Sequence, residues 1–141
     1  EGMIFTTPSA GSIIEEKSIE KNSAKIIIPR GNVIRSITEG TIVDLHYDII
    51  TSSYTIIIQH EKGFLSKYIG TGQPLVSIGK NVITGENIAL SSLSNSKYAD
   101  RIILEIWRNG LPLIASQYIT PKEETSTPSD SSETIGGDEN N

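Results

Sequence analysis

The sequence predicts an all-β domain, an antiparallel β-sandwich or partly open barrel with little helix. Three observations carry that expectation. Residues 1–120 hold 24 isoleucines and five alanines, a β-branched excess that loses side-chain freedom in a helix and packs well on a pleated sheet. Several segments alternate apolar and polar residues with a period of two. Turn residues recur at intervals of about ten residues, the spacing of short strands joined by tight turns.

The elements follow in order. Ile14 to Asn22 is the one stretch polar and unbranched enough to suggest a helix. Thr41 to Asp48 alternates, with Val43, Leu45 and Tyr47 on one side and Ile42, Asp44, His46 and Asp48 on the other. Tyr54 to His60 follows the polar Thr51-Ser52-Ser53 and groups Tyr54, Ile56 and Ile58. Lys62-Gly63 then turns the chain into Phe64 to Ile69, which completes a three-stranded meander. Ser77-Ile78-Gly79-Lys80 and Thr84-Gly85-Glu86-Asn87 spell two more turns beside Val82-Ile83 and Ile88-Ala89-Leu90. Arg101 to Arg108 is a strand, and Asn109-Gly110 is the strongest two-residue hairpin signal in the chain, leading into Leu111 to Ala115.

Charge divides the chain in two. The net charge of -5 belongs to residues 121–141, where six carboxylates face Lys122 alone, while residues 1–120 carry eleven basic and eleven acidic side chains. The expected domain is therefore 1–120. Residues 121–141 read as an acidic Ser/Thr-rich disordered tail or linker, since one isoleucine and no aromatic ring bury too little surface to offset ordering. A neutral domain lacks the basic footprint of nucleic-acid binding, and no nucleic-acid partner is expected. No apolar run exceeds three residues, so this segment has no membrane span. The chain starts at Glu1, not Met, which suggests a processed or excised N-terminus.

Chemistry-bearing residues are few. There is no cysteine and there are two histidines, which excludes disulfides and thiolate sites and limits any zinc centre built on histidine. Asp44, His46 and Asp48 would share a strand face and form a conceivable divalent-metal site, but the simpler reading is an exposed polar strand face. His60 ends an inward-looking strand and reads as a partly buried histidine bonded to backbone. No GxSxG, Walker or GxGxxG string occurs, so acyl transfer and nucleotide chemistry have no signal. The segment PLVSIGKNVITGENIAL repeats a glycine-turn hairpin, as biotinyl and lipoyl carriers do, but without their displayed lysine motif.

Four segments, PRGNVIRSITEGTIV, YTIIIQHEKGFLSKYIG, VSIGKNVITGENIAL and ILEIWRNGLPLIASQYI, resemble in that order the lysostaphin/LytM-type zinc metallopeptidase domain, from about Thr7 to Ile119. The resemblance implies that family's barrel-sandwich-like β fold, built from a duplicated hairpin. It also implies where catalytic groups would stand. The family's HxxxD motif falls near Lys21 and Lys25, its turn histidine on Gly70 after Tyr68, and its HxH motif on Arg101 and Ile103. His60 matches a family position that is not a zinc ligand. Cationic and aliphatic side chains at ligand positions repel or ignore a dication, so no cofactor is expected and the domain reads as catalytically inactive.

Degenerate domains of this type include regulators of peptidoglycan amidases. The resemblance thus implies a non-catalytic protein of the bacterial periplasm or cell envelope, exported by a signal this chain does not contain. It would bind an amidase or another envelope protein through the degenerate groove, with Lys21, Lys25, Gly70, Arg101 and Ile103 lining it. The alternatives are a peptidoglycan-binding module that stacks sugars on exposed aromatic rings and a purely structural domain of a larger envelope protein.

Overall fold

In the computed structural model the described residues are 4–18, 21–29, 31–92 and 96–120. The predicted tail 121–141 lies outside them. Twelve strands follow in chain order: β1 (Phe5–Thr6), β2 (Ile13–Ile14), β3 (Ala24–Ile27), β4 (Val33–Arg35), β5 (Gly40–Asp48), β6 (Ser53–Gln59), β7 (Phe64–Thr71), β8 (Asn81–Val82), β9 (Asn87–Leu90), β10 (Arg101–Arg108), β11 (Leu111–Leu113) and β12 (Ile119–Thr120). The architecture is nearly all antiparallel β, as the composition predicts. Three single 3-10 turns, Glu16–Ser18, Glu61–Gly63 and Ala115–Gln117, are the helical elements described.

One eight-stranded sheet dominates, in the order β2-β3-β10-β7-β6-β5-β8 with β11 also paired to β10. Its pairings are all antiparallel. The antiparallel pair β4-β9 and the parallel pair β1-β12 complete the fold. The predicted meander is β5-β6-β7. At Asn109-Gly110 both residues take positive φ, 51° and 82°, which is the backbone a two-residue primed turn demands.

Alternation sets which side of the sheet is core. On β10, Ile102, Leu104 and Ile106 are buried while Arg101, Ile103, Glu105 and Trp107 face the other way. On β3, Ala24 and Ile26 point inward and Lys25 outward. Ile56, Ile58, Phe64 and Tyr68 join the same core, closed from above by Ile34, Ile37, Ile88 and Ala89. Side chains of this size contribute about 1.5–3 kcal/mol each on full burial, so stability is concentrated on that face.

Three expectations need correction. The alternation assigned to Thr41–Asp48 breaks at a β-bulge, where the register with β6 shifts between Ile42 and Asp44. Ile42 is consequently 0% exposed on the core side and Val43 is 40% exposed; an extra residue in one strand resets which face follows. The stretch from Ile14 to Asn22 is not an α-helix over its described part. Ile13 and Ile14 pair with Ile27 and Ile26, and the Glu15 N–H donates to the Lys25 carbonyl at 2.8 Å, so sheet pairing overrides local propensity. The strand expected over Leu111–Ala115 ends at Leu113, and Ala115 opens a 3-10 turn whose N–H is bonded to the Asn22 carbonyl at 2.9 Å.

Candidate functional site

Strand register brings several of the sequence-designated residues onto the outer face of the sheet. Ile103 is the cross-strand partner of Lys25 on β3 and of Ile69 on β7. Arg101, two residues earlier on the same face, is paired with Ile27. Lys21 lies three residues before β3 and is exposed, as is Lys25. The result is a row of half-buried isoleucines, 27, 103 and 69, flanked by cations.

Gly70 reaches the same face by a different route. Tyr54 pairs with Thr71 and Thr55 with Ile69, so Gly70 is the extra residue of a bulge, with φ of 101°. A Cβ built on Gly70 would lie 2.5 Å from Cγ of Tyr98. Gly70 is thus buried beneath the Tyr98 ring and presents no side chain of its own; Tyr98 fills the space. The covering segment is tied down by the Ser96 hydroxyl, which donates to the Thr51 carbonyl at 2.9 Å, and by the Ser92 hydroxyl, which donates to the Gly70 carbonyl at 2.6 Å. Tyr98 was not singled out from the sequence. The available signal was a glycine inside a strand, which marks a bulge or a close approach.

Arg101 is held in place. Its Nε donates to Asp100 Oδ1 at 3.0 Å and its guanidinium lies 3.8 Å from Glu15 Oε1. The Asp100 hydrogen bond and charge, with Glu15 adding to them, raise the Arg101 pKa above its ordinary value. The guanidinium is fixed rather than loose, with donors remaining beyond the two carboxylates.

The two histidines stand apart from this row's cationic end. His46 shares its register line through Thr55 and Ile69, yet it is three strands from Ile103, about 14 Å at roughly 4.8 Å per strand. Its Nδ1 contacts Asp44 Oδ2 at 2.9 Å, while Asp48 turns away to accept the Ile50 N–H at 2.9 Å. Asp44, His46 and Asp48 therefore do not converge. Among the described residues, no group of three or more histidine, cysteine, aspartate or glutamate side chains is placed to hold one metal ion.

His60 belongs to the core side and is 7% exposed. Its Nδ1 lies 2.6 Å from the Glu39 carbonyl, which can only accept, so Nδ1 carries the proton and Nε2 accepts from the Ser66 hydroxyl at 2.7 Å. Burial lowers the His60 pKa, opposed by the Glu39 bond. Ser66 Oγ is also 3.0 Å from the Tyr68 hydroxyl, which accepts the Ile37 N–H at 3.0 Å. Burial pushes the Tyr68 pKa up to about 12 against those hydrogen bonds. Nδ1 of His60 thus ties the meander to the chain before it, and Nε2 ties the end of β6 to β7 within it. A hollow of about 620 Å³ beside His60, lined by Glu39, Gln59, Glu61 and Asn81, lies away from the cationic row.

Known proteins share this fold. The model of a family described as Peptidase family M23 matches residues 20–114. A curated relative from Buchnera aphidicola subsp. Baizongia pistaciae (strain Bp), described as an uncharacterized metalloprotease, is 28% identical over 100 residues, covering 71% of this chain and 26% of the relative. The chain thus spans about a quarter of that relative's length. Among solved structures, a zinc-containing peptidase from Vibrio cholerae superposes with a TM-score of 0.63 at 17% identity, over 80% of this chain and 39% of that one. A chain of the SpoIIQ–SpoIIIAH pore-forming complex gives 0.68 at 13% identity, over 90% of this chain and 100% of that one. Lysostaphin from Staphylococcus simulans gives 0.54 at 18% identity, over 63% and 37%. At these identities the superpositions establish the fold.

Proposed function

The chain belongs to peptidase family M23, and we propose that it is a non-catalytic member that binds a cell-wall hydrolase of the amidase kind, or another envelope protein, through the outer face of its main sheet. The observation that carries this reading is the cross-strand pair Lys25–Ile103, with Arg101 on the same face and Lys21 just before β3. In the lysostaphin/LytM-type resemblance the positions of Lys21, Lys25 and Ile103 belong to zinc ligands, and that of Arg101 to a histidine that assists the attacked water. An ammonium and an aliphatic chain there supply no lone pair to a dication, and the added positive charge opposes one. Without zinc, this family's chemistry has no polarised water to attack a peptide bond.

The same face is suited to protein contact. Half-buried isoleucines in the middle and charged side chains at the rim follow the anatomy of a recognition surface, and Arg101 is already oriented, which lowers the cost of ordering it on binding. The structural neighbour matched over the whole of its own chain belongs to the SpoIIQ–SpoIIIAH pore-forming complex, which supports assembly as a use for this fold. Placement in the bacterial periplasm or envelope is part of the same proposal.

The test is site-specific photo-crosslinking in cells from position 25, with position 62 in the Lys62-Gly63 turn as the control. A protein adduct from 25 and none from 62, identified as an amidase or another envelope protein, is the expected result. Equal labelling from both positions, or none from 25, overturns the proposal. Retention of the purified domain on cell-wall sacculi, with no protein adduct, would replace it with the wall-binding reading.

A further inference from the structure

Toward the opposite edge of the sheet lies a second, separate feature. β8 pairs with β5 only at Gly40 and Thr41, and the Ile42 N–H and carbonyl are taken by Lys80 and Gly79. From Asp44 to Asp48 nothing among the described residues pairs with the outer edge of β5, although its inner edge is fully laddered to β6. Such an edge presents a row of unpaired N–H and C=O groups, a template for another strand. Beside it, Tyr47, Ile49 and Ile50 remain 51%, 80% and 90% exposed.

We propose that the open edge of β5 receives an extended segment of a partner protein by antiparallel strand addition, and that the segment alternates basic and apolar residues. The alternation of β5 itself specifies this chemistry. Asp44, His46 and Asp48 point to one face of the sheet, and Leu45 and Tyr47 to the other. An added strand places its own residues opposite these, where opposite charges stabilise and like charges destabilise. Lysine or arginine is thus selected on the carboxylate side and an apolar residue on the Leu45–Tyr47 side.

The same pattern argues against two nearer candidates. A second copy paired about His46 would set Asp44 against Asp48 twice. The chain's own residues 121–141 carry six carboxylates and one lysine, the wrong sign for this edge. β5 lies four strands from β3, so this site and the Lys25–Ile103 face are tested independently.

The experiment titrates the whole protein with fluorescent ten-residue peptides and reads anisotropy. A peptide of alternating lysine and valine is expected to bind; alternating glutamate and valine, or lysines and valines in two blocks, is expected to bind more weakly. N-methylation of every second residue along one edge of the Lys-Val peptide should abolish binding and along the other edge should spare it, because main-chain pairing uses one edge only. Asp44→Asn with Asp48→Asn should weaken binding by about 2- to 30-fold, whereas Lys25→Ala should leave it unchanged. Absence of binding, equal binding of the block peptide, indifference to N-methylation on both edges, or a dimer crosslinked through β5 would each overturn the proposal.

Discussion

Two faces of one sheet are built from alternate residues of the same strands and carry different burdens. On β10, Ile102, Leu104 and Ile106 are enclosed with Ile26, Ile56, Ile58 and Tyr68, and the polar atoms among them are matched through Ser66, His60 and the Ile37 N–H. One residue over in each case, Arg101, Ile103 and Lys25 stand at the surface, where a substitution disturbs little. The contrast teaches that a fold is held by its enclosed face and can keep its register, turns and bulges when the residues on its open face change. It also explains how membership of a peptidase family and the proposed loss of its chemistry are compatible in one chain.

Neighbouring residues on β10 give the sharpest test of that contrast. Leu104→Ala should lower stability by about 2–5 kcal/mol, the cost of a large-to-small change in a closed core. Ile103→Ala should cost about 1 kcal/mol or less because that side chain is only half-buried. Urea unfolding of both variants measures the difference, and equal losses would break the division into two faces.

Gly70 is the position where the open face has acquired a structural burden. Gly70→Ala should cost about 1–3 kcal/mol, because φ of 101° is strained for any side chain and the new Cβ meets Tyr98. In Tyr98→Ala the steric part is relieved and the backbone part remains, so the double variant should lose less than the sum of the two single losses. Additive losses would remove Tyr98 from the account.

A pH profile separates the faces again. The folded His60 pKa lies below its ordinary value, so the unfolded chain binds more protons as pH falls below about 6.5. Stability should therefore be complete above that pH and decline as pH drops toward the folded-state value. His60→Gln should flatten the profile between pH 7 and 5, and Ile103→Ala, on the outer face, should leave its shape unchanged. Urea midpoints across that range provide the measurement.

The smallest expected effect is at Arg101. Arg101→Glu sits beside Asp100 and Glu15 at the surface, where charge changes are worth about 0.5–1 kcal/mol, while the proposed partner contact should fall much further. A parallel loss of melting temperature and binding would make Arg101 structural.

Much of the fold was legible in the sequence because it is local. The isoleucine alternation of Ile56 and Ile58, the Asn109-Gly110 turn and the turns at Gly79 and Gly85 each encode their geometry within a few residues, although β8 and β9 pair with β5 and β4 rather than with each other. What escaped depends on pairing across the sheet. The bulge at Val43 arises from the register of β5 on β6, and the helical reading of Ile14–Asn22 failed because Ile13 and Ile14 are claimed by β3. At the candidate site, the order of segments names Lys25, Arg101 and Ile103 together, and strand register sets them on one face. Tyr98 over Gly70 and the clamp of Asp100 and Glu15 on Arg101 required the structure, since both join segments distant in the chain.

We propose that the outer face does not support metal-dependent hydrolysis. The protein dialysed against zinc, with bound metal quantified and the same sample incubated with peptidoglycan cross-bridge peptides, puts it to the test most directly. No stoichiometric zinc and no cleavage are expected. One zinc per chain together with hydrolysis of the peptides would contradict it.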